Sequence, residues 1–270
     1  MKTDHDETQI VTRMNEATTM ARCAGELTLE FFQRGIAIER KADGSPVTAA
    51  DRDAEQLLRK KIADLFPDDG IVGEEFDDID GTSGYRWILD PIDGTKSFIS
   101  GVPLYGTMVG VEFAGEAVIG VVFIPALDEM VYAATGQGAW HVVKQTAPVP
   151  AKVNEKIEDL SHGLFVTTQV DSFSKRGAED VYAALESQAY ITRTWGDCYG
   201  YVLVATGRAA VMVDPILNVW DAAAVQPIIC ESGGAFVDWQ GKSTIHSGDA
   251  IGTTPGLLKQ VLSITKTAPK

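Results

Sequence analysis

Ile10, Val11, Met14, Ala17, Ala21, Ala24, Leu27 and Phe31 recur at three- and four-residue steps, which predicts an amphipathic helix ending near Gly35. A polar loop, Lys41-Ala42-Asp43-Gly44-Ser45-Pro46, precedes a second helix that opens at Thr48-Ala49-Ala50-Asp51 and runs to about Phe66. Thr48 followed by an acid three residues on is the pattern of a capped start. From Tyr85 the apolar pattern becomes strand-like. Segments 85–89, 107–113, 117–124 and 129–134, with Ala114-Gly115-Glu116 as a hairpin connection, predict an antiparallel sheet.

Past the proline-containing stretch 146–150, strand-like segments at 164–168, 191–194, 209–213 and 235–237 alternate with helix-like ones. Those helices are expected from Ala178, near 201–205 and from Asp221. The alternation predicts a layered α/β half. The division expected is therefore an α+β unit over residues 1–150 and an α/β unit over 151–270, with no internal repeat.

At 270 residues and 45% hydrophobic content, the chain can bury a full core without staples. Cys23, Cys198 and Cys230 are odd in number and far apart, so neither a disulfide framework nor a thiolate zinc site is expected. His5, His141, His162 and His246 lack metal-ligand spacing. No run of about eighteen apolar residues is present, and Met1 to Glu7 lacks a basic start and apolar stretch. A cytoplasmic protein without a membrane partner is the expectation. A net charge of −15 with no compensating basic run argues against nucleic acid as a partner.

The segment with most chemical content is Trp87-Ile88-Leu89-Asp90-Pro91-Ile92-Asp93-Gly94-Thr95-Lys96, an apolar strand running into two carboxylates three residues apart. Hard cations such as Mg²⁺ take oxygen ligands, and Pro91 and Gly94 could turn both acids toward one point. A plain Asp-Gly turn is the alternative. Glu74-Glu75 follows Ile71-Val72-Gly73, and Asp221 follows Val219-Trp220. Singly, Glu74 reads as a loop acid and Asp221 as a helix cap. Together, four converging carboxylates would repel one another without a cation. Thr95 and Lys96 open a possible helix whose first N–H groups would face phosphate.

Gly73-Glu74-Glu75, Asp90-Pro91-Ile92-Asp93-Gly94-Thr95 and Trp220-Asp221, in this order and spacing, resemble the inositol monophosphatase family. Val47-Thr48-Ala49-Ala50-Asp51, Glu231-Ser232-Gly233-Gly234 and Asp238-Trp239 extend the resemblance over nearly the whole chain. It implies an antiparallel sheet sandwiched by helices, a second α/β half and a homodimer. It implies two or three Mg²⁺ ions held by Glu74, Asp90, Asp93, Asp221 and the Ile92 carbonyl. Glu74 and Thr95 would orient a water for attack on phosphorus, with Gly94 beside the phosphate. Asp51 would hydrogen-bond Thr95, although it reads equally as a capping-box acid. Lys41 and Asp43 fall in the loop that corresponds to a mobile flap.

Within the family, 97–107 and Gly196-Asp197-Cys198-Tyr199-Gly200-Tyr201 look most like the histidinol-phosphate phosphatase branch. Asp197 would face a leaving group that carries an ammonium and an imidazole, whereas inositol offers neutral hydroxyls. A turn residue before a helix is the other reading of Asp197. Asp214, seven residues before Asp221, stands where the family usually has a substrate-contacting Glu. The expected function is thus Mg²⁺-dependent hydrolysis of a small phosphate monoester, histidinol phosphate foremost. An inositol or general sugar monophosphate is the alternative, and a catalytically silent phosphoester-binding subunit the more distant one.

Overall fold

A computed structural model describes residues 7–41 and 44–268. The first six residues, with His5 and most of the start read above, and Asp43 of the expected flap lie outside the described residues.

The first helix, α1 (Glu7–Leu29), stops short of the expected end near Gly35. Hydrogen-bonded turns follow it, and Gln33 and Gly35 take left-handed backbone angles that no helix continues through. A small hairpin, β1 (Glu39–Arg40) and β2 (Pro46–Val47), leads into α2 (Ala49–Leu65). Thr48 caps α2 as its sequence predicts, in a complete capping box with Asp51.

The large sheet contains β3 (Gly70–Gly73), β4 (Tyr85–Asp93), β5 (Gly106–Phe113), β6 (Glu116–Ile124), β7 (Glu129–Ala134), β8 (Gly138–Val143) and β9 (Val149–Pro150), side by side in chain order. All neighbours are antiparallel except β3 and β4, which run parallel. Between β4 and β5 sits the five-residue helix α3 (Thr95–Ile99). Strand β4 runs four residues beyond the segment expected to end at Leu89, so both Asp90 and Asp93 belong to it.

The second half contributes β10 (Leu164–Val166), α4 (Asp171–Arg176), α5 (Glu179–Gln188), β11 (Ile191–Arg193), α6 (Asp197–Ala205), β12 (Val211–Asp214), α7 (Val219–Ala223), α8 (Val225–Glu231), β13 (Ala235–Val237), β14 (Ala250–Thr253) and α9 (Leu258–Thr265). Its sheet has the order β11-β10-β12-β14-β13, parallel around β10 and antiparallel around β14.

Strand alternation assigns the layers. On β6, Ile119, Val121 and Phe123 pack with α1 and α2, while Val122 and Ile124 join the core with α6, α7 and α8. On β12, Met212 faces that same helical layer, and Val211 and Val213 pack with α4, α5 and α9. Helices and sheets therefore stack in five layers, with α6 to α8 between the two sheets. Helix α6 is apolar nearly all round, as a helix with a sheet on either side requires. Among the described residues no helix is long and apolar enough to cross a membrane.

Gly110 and Gly120 set the distance of this inner layer from the large sheet. A Cβ on Gly120 would lie 1.9 Å from the Ala224 carbonyl oxygen, and one on Gly110 would lie 2.7 Å from the Ala223 Cβ. The turn of helix that carries Asp221 thus rests directly on the sheet. Gly120→Ala is expected to destabilise the fold by ~1–3 kcal/mol in urea denaturation, because backbone rather than a movable side chain must yield.

Candidate active site

In a regular strand Asp90 and Asp93 would point to opposite faces, since side chains alternate with a period of two. The register with β5 shifts between them: Asp90 pairs with Met108 and Asp93 with Gly106, three steps on β4 against two on β5. This bulge brings both carboxylates to one side. Thr107 holds it by donating from Oγ1 to the Pro91 carbonyl at 2.8 Å, and Ile92 N donates back to Asp90 Oδ1 at 3.1 Å. The Ile92 side chain is anchored in an apolar nest with Ala50, Phe98 and Tyr105. Gly94, at φ 84°, turns the chain into α3 in a conformation that a side chain would strain.

Asp221 is delivered by α7. The N-cap of α7 is Asn218 and not Asp221, which stands three residues on and completes a capping box: its Oδ2 accepts from Asn218 N at 2.7 Å, leaving Oδ1 for another role. Asp90, Asp93 and Asp221 then offer carboxylate oxygens that all lie within 4.8 Å of one another. Burial first, and then the charges of Glu74, Asp93 and Asp221, push the Asp90 carboxyl well above its ordinary range. Burial, Asp197 and Asp221 do the same to Asp93, although Cys198 N donates to its Oδ2. Burial, with the charges of Glu74 and Asp214, pushes Asp221 up to about 7, despite the Asn218 hydrogen bonds. Such a cluster is held together only against its own repulsion, and hard oxygen donors at this spacing fit a divalent cation.

Glu74 lies at the end of β3, and its charge acts on both Asp90 and Asp221. Its side chain does not join the close trio; Glu74 Oε1 pairs with Lys41 Nζ at 2.6 Å, and the same ammonium reaches Glu75 Oε1 at 2.7 Å. Lys41 from the expected flap therefore does reach the site. Burial works to lower its pKa, but the two glutamates hold it above the ordinary lysine value.

Asp51 departs from expectation. Thr48 N and Oγ1 both donate to its Oδ2, at 2.8 and 2.6 Å, while the buried Oδ1 has no hydrogen-bond partner among the described residues. The Thr95 hydroxyl donates instead to the Ile92 carbonyl at 3.1 Å, so the expected Asp51–Thr95 hydrogen bond is not formed. The helix cap takes one oxygen of Asp51, and the Ile92 carbonyl in the bulge is the acceptor for Thr95. Helix α3 does open at Thr95, as expected, but is only five residues long; Gly94, Thr95, Lys96 and Ser97 from its start line the cleft wall.

The cleft has an outer volume of about 480 Å³, bounded by Glu74, Gly94, Thr95, Lys96, Thr168, Trp195 and Asp197 among others. An inner chamber of about 170 Å³ shares Thr168, Asp197 and Ile216 with it and reaches Asp93, Asp214 and Asp221. Asp197 is the first residue of α6 rather than a turn residue before it, takes a left-handed φ of 52°, and is a cleft carboxylate. Burial and the Asp214 charge push it up to about 7, against the pull of Lys96. Burial also pushes Asp214 up to about 6, although Thr168 N, the Thr167 hydroxyl and Tyr201 OH all donate to it. The Cys198 thiol is buried against Gly106 and belongs to the packing.

Thr168 escaped the sequence reading. Its N–H holds Asp214 at 3.1 Å and its Oγ1 accepts from Asp197 N at 3.0 Å, so it couples the two acids. Gly196 lies so close that a Cβ there would be 2.1 Å from Thr168 Cα. No motif marks a threonine just past a strand, and only Gly196 before Asp197 hinted at such a contact. Gln169, Ser172 and Trp195 on the wall were likewise unmarked.

A model of the inositol monophosphatase family matches residues 11–268. The chain belongs to this family. The histidinol-phosphatase of Chlorobaculum parvum is 44% identical over 87% of this chain and 89% of its own. That of Mycobacterium tuberculosis is 33% identical over 92% and 95%. Among solved structures, the Thermotoga maritima IMPase superposes with a TM-score of 0.83 at 28% identity, over 95% of this chain and 97% of its own. An inositol monophosphatase from Zymomonas mobilis gives 0.82 at 30% identity, over 94% and 98%. The protein is a phosphoric monoester hydrolase with the fold of this family.

Neutralising one acid should separate repulsion from function. In chelator, Asp90→Asn is expected to raise the melting temperature by roughly 2–4 °C, the shift about 1 kcal/mol gives in a chain of this size. Added Mg²⁺ should then stabilise the wild type and leave the variant unchanged in a thermal melt.

Proposed function

We propose that the protein hydrolyses histidinol phosphate to histidinol and phosphate, with Mg²⁺ as its cofactor. The observation that carries this reading is the half-buried carboxylate of Asp197 on the wall of the cleft, within electrostatic reach of Asp93 and Asp214. An acid there suits a leaving group with an ammonium and an imidazole, and would be left without a counter-charge by a neutral polyol. The relatives named histidinol-phosphatase, at 44% and 33% identity, support the same substrate.

The donor set fits the metal: carboxylates gathered within 4.8 Å are the hard ligands that Mg²⁺ takes. Asp90, Asp93, Asp221, Glu74 and the Ile92 carbonyl would hold two or three ions. Bound Mg²⁺ would supply positive charge to the phosphate oxygens and lower the pKa of water.

This chain's own residues divide the remaining work. Thr95 and Glu74, which share the cleft wall, orient the attacking water. Gly94 stands beside them on the cleft wall, next to the phosphate, and its missing side chain makes room for Asp197 Oδ2, 2.9 Å from where a Cβ would sit. Asp197, whose carboxylate lies against Gly94, and Asp214, through the inner chamber, receive the cationic leaving group. Asp51, whose Oδ1 is buried and unpartnered among the described residues, steadies the start of α2 beneath the site. A homodimer is part of the proposal and is checked by light scattering.

Relatives named for inositol-1-monophosphatase activity, such as those of Aquifex aeolicus and Rhizobium meliloti, are 30% and 31% identical, so inositol 1-phosphate is the competing substrate. Phosphate release with Mg²⁺ should favour histidinol phosphate over inositol 1-phosphate by about a hundredfold in kcat/KM, or roughly 2.7 kcal/mol. Asp197→Asn should lower kcat/KM for histidinol phosphate by about tenfold or more and that for a neutral ester by less than threefold. Equal losses on the two esters would remove the charge-recognition argument.

A further inference from the structure

The expected cation ligands differ in how they are held. Asp90 and Asp93 are fixed by a bulge inside a paired strand, and Asp221 by a helix resting on the sheet. Glu74 follows β3, the outermost strand of the large sheet, at the start of the long connection to β4. Its own N–H reaches the Leu89 carbonyl at 3.2 Å. The residues just after it are gripped from behind by α2.

Glu55, one turn beyond Asp51, is fully buried. Its Oε2 accepts from Glu75 N at 2.8 Å and its Oε1 from Arg59 Nε at 2.7 Å. Arg59 then donates from Nη2 to the Phe76 carbonyl and from Nη1 to the Asp77 carbonyl, each at 2.9 Å, with its guanidinium over the Phe76 ring. The preceding residue must be glycine: a Cβ on Gly73 would lie 2.0 Å from Glu55 Oε1 and 2.7 Å from Arg59 Nη2. One acid and one base on α2 thus fix the backbone on both sides of Glu74. An ion pair in so buried a place adds little stability compared with apolar packing, but its hydrogen bonds have direction.

We propose that Glu55 and Arg59 are positioning residues that aim Glu74, setting the affinity of the cation site without contributing to ester binding. The inference rests on the reading of Glu74 as a cation ligand. Glu55→Gln keeps an acceptor for Glu75 N and removes the charge that Arg59 meets. Arg59→Lys keeps the charge and loses the fork that spans two carbonyls.

The test is a double-mutant cycle read by calorimetric titration of the full chain with Mg²⁺, across wild type, Glu55→Gln, Glu74→Gln and the double variant. Glu55→Gln is expected to weaken Mg²⁺ binding about tenfold alone and less than twofold on the Glu74→Gln background, since both act through one carboxylate. KM for the ester at saturating Mg²⁺ should stay within about twofold. Arg59→Lys should weaken Mg²⁺ binding about threefold or more, again only when Glu74 is present, and it carries the same comparison if Glu55→Gln does not fold. Full affinity in the folded Glu55 and Arg59 variants, or an equal loss on both backgrounds, overturns the inference alone. If Glu74→Gln itself binds Mg²⁺ as the wild type does, the ligand reading of Glu74 fails and the inference with it.

Discussion

Mutual repulsion among buried carboxylates is the constraint around which this fold is arranged. Asp90, Asp93 and Asp221 bring their oxygens within 4.8 Å of one another, and the charge of Glu74 bears on two of them. Unpaired burial of one carboxylate already costs several kcal/mol, and each neighbour adds to it. Evidence that the cluster is meant to be neutralised lies in how much rigid structure is devoted to holding it: a bulge, a capping box and two glycines that admit a helix to the surface of the sheet.

The same architecture links the two halves of the chain. The large sheet alone carries Glu74, Asp90 and Asp93, and it would make an incomplete site. Asp221 comes from the inner helical layer, between β12 and β13 of the smaller sheet. Asp197 and Asp214 arrive by the same route, at the start of α6 and the end of β12, tied to each other through Thr168. In the proposed function, catalytic chemistry sits on one half and leaving-group recognition on the other, with Asp221 spanning them.

Legibility in the sequence followed the strength of the local signal. Thr48 and Asp51 announce a helix start, and the structure has it there, because capping depends on residues three apart. The run into Asp90-Pro91-Ile92-Asp93-Gly94 marked a site, yet the end of β4 was misplaced by four residues. A proline and two acids read as a turn, and only pairing with β5 makes them a bulged strand. Strands β3, β9 and β14, of four, two and four residues, are too short for an alternating pattern to show, and the six-residue β8, hairpinned onto β7, also went unpredicted. Asp51's missing bond to Thr95 and Thr168's coupling of two acids are tertiary facts that no spacing encodes. Lys41 was legible as a flap residue, but its placement between Glu74 and Glu75 required the structure.

The most direct test of the account is calorimetric titration of the chelator-treated protein with Mg²⁺, alongside Asp93→Asn. The account predicts saturable binding by the wild type, accompanied by a rise in melting temperature, and loss of both in the variant. A wild type that binds no Mg²⁺, or a variant that binds it equally well, would contradict the claim that these carboxylates are gathered to hold a cation.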